Sequence, residues 1–224
     1  MSQLVSIAQK ILTDCESLDD EKHKKLVIIV NNCNIFVDIG TRLNVKLDNA
    51  SKDILERIID EFFLDMHVAC VLAAGGQFKS ASVVARAALE LGLYYIYFVD
   101  HRVELGAWAN AANQDHKHDM SFSDVRELIC TADYMAIASE GVGATDSISE
   151  INRLLQKSYR ELSERVHGKY KFLYAANAGD PVNVDAFSRL ADNFTTSLVR
   201  LLRMRVECYP DILEEVPQLE KIDE

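Results

Sequence analysis

At 224 residues the chain can bury the core of one large domain. Its 49% hydrophobic and 26% charged residues, with only 9 Gly and 3 Pro, exclude a disordered, collagenous or repeat-turn protein. A formal net charge of -11 argues against indiscriminate binding of nucleic acid by the whole molecule, because affinity for a polyphosphate follows the number of cations offered. Five cysteines, Cys15, Cys33, Cys70, Cys130 and Cys208, are scattered and odd in number with no CxxC pair, so they are expected to be reduced and mostly buried.

Residues 2–14 place Leu4, Ile7, Ala8, Ile11 and Leu12 along one side of a first predicted helix. This segment lacks the basic-then-apolar order of an export signal, and the most apolar window, residues 81–100, is interrupted by Arg86 and Glu90. A cytoplasmic protein without a membrane span is expected. Ser17, Asp19 and Asp20 offer caps for a long second helix to about Leu47, with Gly40 a point where it can bend. Ser51 is the expected cap of a third helix carrying Ile54, Leu55, Ile58, Ile59, Phe62 and Phe63, stopped by Gly75 and Gly76. His67 within it is expected to sit at the core's edge with a hydrogen-bond partner.

Residues 78–99 are apolar nearly all round, the mark of a helix surrounded by others, and predict the centre of the bundle. Arg86 and Glu90, four apart on that helix, are expected to form a structural ion pair. A short helix over 102–112 follows, with Leu105 and Trp108 inward. In the polar loop after it, Asp115, His116, His118 and Asp119 have ligand-type side chains. They lie within five residues and lack a frame to converge them, so no metal site and no cofactor are expected. Ser121 or Ser123 caps a helix through Val125, Leu128 and Ile129. Pro181 closes an irregular aromatic stretch, and a last long helix from Asp185 lines up Phe187, Leu190, Ala191, Phe194, Leu198, Leu201 and Leu202. No fixed-period repeat and no long alternating run is present, so the fold class is all-α, a multi-helix bundle of long antiparallel helices. One domain is expected over residues 1–210. An acidic tail over 211–224 carries net -5.

Residues 146–171 read DSISEINRLLQKSYRELSERVHGKYK. Ile148, Ile151, Leu155, Leu162 and Val166 make one apolar stripe of a helix that Gly168 ends. Arg160 and His167 are seven positions apart and so fall within about 20° of each other, two turns apart, with Ser163 and Gln156 near the same line. Six cations, Arg153, Lys157, Arg160, Arg165, Lys169 and Lys171, meet two anions between positions 153 and 171, the most basic stretch of the chain. A cation and an imidazole in register suit work on a phosphate, one stabilising charge and the other moving a proton. The plainer reading is a solvated face ending in a histidine at the negative end of the helix dipole. No P-loop, dinucleotide-binding glycine motif, GxSxG, HExxH or zinc-type cysteine pair occurs, which sets aside those chemistries.

The ten residues Tyr159-Arg160-Glu161-Leu162-Ser163-Glu164-Arg165-Val166-His167-Gly168 resemble the arginine-to-histidine motif of the HEPN (higher eukaryotes and prokaryotes nucleotide-binding) superfamily. The ARAALELGLYYIYF helix resembles the central helix of its less characterised branches. The resemblance implies a HEPN-like bundle and metal-independent endoribonuclease activity at a site shared by two facing protomers, in a toxin or anti-phage defence effector. By position, it implies that His167 acts as general acid or base on the ribose hydroxyl or leaving oxygen. Arg160 would stabilise the phosphate and Ser163 orient it, while Arg153, Lys157, Arg165, Lys169 and Lys171 bind RNA rather than DNA. Glu161 departs from the usual residue after the arginine, and the gap of six is at the long end. The alternative is a non-catalytic module of the same fold that binds nucleotide, RNA or a partner protein, or serves as a structural subunit of a larger complex.

Overall fold

The computed structural model describes residues 20–111, 120–140, 147–167 and 181–214. Over these the chain is an all-α bundle: α1 Asp20–Asn44, α2 Asn49–Ala74, α3 Phe78–Asp100, α4 Arg102–Asn110, α5 Phe122–Ile129, α6 Ala132–Ala138, α7 Ile148–Val166, α8 Pro181–Val206 and α9 Pro210–Glu214. The predicted helix over 2–14 and the loop residues Asp115, His116, His118 and Asp119 lie outside the described residues, as do Lys169 and Lys171.

α3 is the axis of the packing. It touches α2, α4, α5, α7 and α8, and Ala81, Ala85, Ala88, Leu89, Leu93, Tyr95, Ile96 and Phe98 are all fully enclosed. That is why its sequence shows no polar face. α2 and α3 form a hairpin whose turn places Gly76 at φ 71°, in the left-handed region where glycine carries no Cβ penalty. The first three helices run up and down as expected. α8, however, lies parallel to α1: Lys25 pairs with Asp185 at 2.9 Å, Asn32 bonds Thr195 at 3.2 Å, and Lys46 pairs with Asp211 at 2.6 Å.

α1 runs without a break through Gly40 to Asn44. A Cβ there would come within 2.6 Å of Ile59 Cδ1 and 3.2 Å of the Tyr95 hydroxyl, so its bare backbone is what lets α1 close on α2 and α3. Tyr95 uses that approach and donates to the Gly40 carbonyl at 3.0 Å. Around it Phe36 packs on Phe62, with centroids 4.8 Å apart, and meets Tyr95 edge-on.

Helix ends follow local capping with some shifts. Asp48, not Ser51, caps α2, accepting from both the backbone N and the hydroxyl of Ser51. Ser121 caps α5, which buries Val125 and Ile129 and leaves Leu128 44% exposed. α6 was not foreseen; it is a single short element capped by Thr131. α8 begins at Pro181 instead of Asp185, since a proline at the first helical position gives up only a donor that has no partner there. The packed bundle also runs past residue 210, because Ile212 is 2% exposed. By length and composition α1 and α3 could each cross a membrane, and about half of each apolar window is buried against neighbouring helices.

Candidate nucleic-acid interface

α7 is held by one stripe. Ile148, Ile151, Leu155, Ser158 and Leu162 are buried and turned toward α3 and α8, while Val166 is only half-buried. One flank is fixed by aromatic and charged contacts. Tyr159 stacks on Phe122 of α5 with centroids 4.0 Å apart and planes 6° from parallel, and the Arg86 guanidinium lies 4.9 Å above its ring. Arg86 donates to the Tyr159 hydroxyl at 2.8 Å and pairs with Glu90 at 3.2 Å. Both charged side chains are 28% exposed, so the pair seals an edge of the core and is not enclosed within it. Burial first, and then the Glu90 carboxylate, push the Tyr159 phenol above its usual value. Below this contact Arg126, itself 4% exposed, donates to Asn152 and to Glu127.

The face opposite the stripe is open. Arg153, Gln156, Lys157, Arg160 and His167 are all exposed. Arg160 and His167 share this line, separated by about 10 Å of rise along the axis. His167 ends the helix, and its backbone N donates to the Ser163 carbonyl at 3.0 Å. Neither the Arg160 guanidinium nor the His167 ring has a hydrogen-bond or ion-pair partner among the described residues, and Lys157 shares that condition. Arg153 differs: it is clamped on Glu150 through two bonds of 2.9 and 2.6 Å. Arg165 differs again. It is half-buried, and burial lowers its hold on its proton against the opposing pull of Glu161, with the nearby Arg189 adding a smaller push in the same sense as burial.

Ser163 sits between the two motif residues, yet its hydroxyl is closed off from solvent and has no hydrogen-bond partner. The open line therefore consists of Gln156, Arg160 and His167, with Lys157 beside it. Tyr159 and Arg189 are site neighbours that the sequence did not flag. No spacing rule connects Tyr159 to Arg86, 73 positions earlier, or Arg165 to a helix that begins at Pro181. His67 takes its expected place, with Nδ1 2.8 Å from the Phe63 carbonyl. Among the described residues no group of three or more His, Cys, Asp or Glu side chains converges as a metal site would require. Comparison with protein-family models, curated proteins and solved structures returned no match for this chain.

Proposed function

We propose that the chain is a HEPN-like, metal-independent endoribonuclease of the toxin or defence type, with the outer face of α7 as its working surface. Arg160 neutralises the phosphate as negative charge accumulates in the transition state. His167 takes the proton from the attacking ribose 2'-hydroxyl or returns one to the leaving 5' oxygen. The observation that carries this reading is that Arg160 and His167 lie on one solvent line of a helix with no partner among the described residues to occupy them. Among the described residues Arg86, Arg126 and Arg205 are engaged in holding helices together, whereas Arg160 has no such partner.

About 10 Å of rise separates the two residues, more than one phosphate spans. A second copy facing the first would bring the arginine of one chain toward the histidine of the other, which is the homodimeric arrangement the reading requires. The test is incubation of purified protein with RNA in EDTA. Cleavage that persists in EDTA and is lost in His167→Ala and Arg160→Ala, with unchanged circular dichroism, is expected; RNA left intact by the unaltered protein ends the nuclease reading. The same axial separation favours a second reading, in which a single α7 face binds RNA without cutting it. That reading expects salt-sensitive binding, weakened by Lys157→Ala, and no turnover.

A further inference from the structure

A helix surrounded by others has no polar face, and α3 obeys that rule because five helices touch it. The second half of α2 breaks it. From Phe62 to Ala74 it reads FFLDMHVACVLAA, with Asp65 its only carboxylate and no Lys or Arg. Phe62, Met66, Ala69, Cys70 and Ala73 are buried in the core. On the other side Leu64, Val68 and Val71, spaced four and three apart, make a second apolar line, and they are 55%, 40% and 50% exposed. Among the described residues the helices packed on α2 are α1, α3, α4 and α8, and none of them covers this line. An uncovered apolar line on a helix that is apolar all round marks a surface that meets something.

Charge stands at the two ends of the line. One turn before Leu64 come Asp60 and Glu61, both exposed and without an ion pair among the described residues. Past the other end the hairpin turns through Gly76, and α3 begins at Phe78 with no capping side chain and no acid in its first turn. Lys79 stands there, level with the last turn of α2 because the chain doubles back. It too is exposed and has no ion pair among the described residues. Val83, one turn on from it, is 46% exposed. The line is thus acidic at one end and positive at the other, where Lys79 adds to the dipole of an uncapped helix.

We infer that this face joins two copies of the chain, with α2 lying antiparallel on α2 of the other copy about a two-fold axis beside Val68. Leu64 then meets Val71 of the other copy, and Val68 lies across the axis from itself. Asp60 and Glu61 reach the hairpin end that carries Lys79, while Arg57, a turn further out, falls beyond that end. A two-fold contact uses one patch twice, so the patch must complement itself. An apolar middle with opposite charge at its two ends does so only when the copies run antiparallel. α7 packs chiefly on α3 and α8, so this contact is separate from the outer face of α7 and stands whether or not that face cleaves RNA.

Analytical ultracentrifugation of the full chain over about 1–100 µM tests it, a range that covers a contact of micromolar strength. The unaltered chain is expected to run as a multiple of one copy. Val68→Glu should halve that mass, whatever contact α7 adds, with circular dichroism unchanged, and the halving should persist in Arg160→Ala and His167→Ala backgrounds. Lys79→Glu and Glu61→Lys should each weaken association about tenfold, since the axis repeats every lost pair and sets like charges together, and the double variant should recover it to within about threefold. A chain that stays single throughout, including one that collects on phosphatidylcholine vesicles instead, overturns the proposal. So does a Val68→Glu variant that keeps the full mass, or a double variant that associates no better than its parents.

Discussion

Arg205 and Arg160 represent two uses of one side chain. At the joined ends of α3 and α8, the Arg205 guanidinium donates to Asp100 through Nε at 2.9 and 3.1 Å and through its terminal nitrogen at 2.7 Å. Tyr134 of α6 donates to the same carboxylate at 3.0 Å, and the Tyr209 ring lies 5.9 Å from the cation. Arg205 and Asp100 are only 11% and 21% exposed. Here Nε and one terminal nitrogen grip the carboxylate together, and the arginine is a rivet between helices. On the outer face of α7, Arg160 is exposed and holds no partner among the described residues. The difference separates charge that maintains the fold from charge available to a ligand, and it does so without reference to any relative.

Removing the partner of the rivet should have the largest effect. Asp100→Ala leaves a mostly buried guanidinium uncompensated and deprives the Tyr134 hydroxyl of its acceptor, a loss of about 3–5 kcal/mol in urea unfolding. A loss under about 1 kcal/mol would mean that the cluster is decoration and would blur the contrast with Arg160.

Glycines allow a second test of inside against outside. At Gly92 a Cβ would lie 2.6 Å from Leu198 Cδ1 and 3.2 Å from the Phe62 ring, whereas at Gly106 on α4 it would meet nothing within 4 Å. Overpacking of about 1–3 kcal/mol is set against a helix-propensity gain of about 1 kcal/mol at the first position, so Gly92→Ala destabilises by up to about 2 kcal/mol. Gly106→Ala keeps the propensity gain alone and should stabilise by about 0.5–1 kcal/mol. Thermal melts of the two variants moving in the same direction would contradict this account of the packing.

Alkali probes the interior without mutation. Burial pushes the Cys70 and Cys130 thiols from 9.0 up to about 12. The unfolded chain gives up these protons first, so it binds fewer of them above pH 9, and stability falls as pH rises toward about 12. Each thiol contributes a loss of about 1.4 kcal/mol per pH unit within that window. Tyr134, raised by burial and then by Asp100, acts in the same sense. Urea midpoints between pH 8 and 10.5 measure the slope, and Cys70→Ala with Cys130→Ala should flatten it. A flat profile in the unaltered protein would place both thiols in contact with water.

Much of the interior was legible because it depends on spacing. The apolar circumference of residues 78–99 marked α3 as the centre, the seven apolar positions chosen for α8 are all buried, and the stripe on α7 was legible apart from its last residue. What escaped was set by distance along the chain. Arg205 meets Asp100 across 105 positions and Arg86 meets Tyr159 across 73, and nothing local selects one arginine over another as the rivet. At Gly40 the sequence shows a missing side chain without showing Ile59 and Tyr95, the neighbours that take up the space. On α7, position on the helix correctly put Arg160 and His167 on the open side. Periodicity could not separate Lys157, without a partner among the described residues, from Arg153 clamped on Glu150, or show the Ser163 hydroxyl closed off from water.

Arg160→Ala and Lys157→Ala should have the smallest effect on folding. Neither side chain packs on the core or has a partner among the described residues, so each variant should unfold within about 0.5 kcal/mol of the unaltered chain. Near-zero cost is what gives these positions diagnostic value. A residue that contributes nothing to stability but whose removal weakens RNA binding or cleavage acts on the ligand directly, with no route through misfolding. Binding measured from 50 to 300 mM salt then sorts the two roles. Loss of one phosphate contact lowers the salt slope by about 0.7 on single-stranded RNA for either variant, whereas His167→Ala should leave the slope alone and affect only turnover. A variant at Arg160 that melts several degrees lower, with RNA affinity unchanged, would move that arginine into the same category as Arg205.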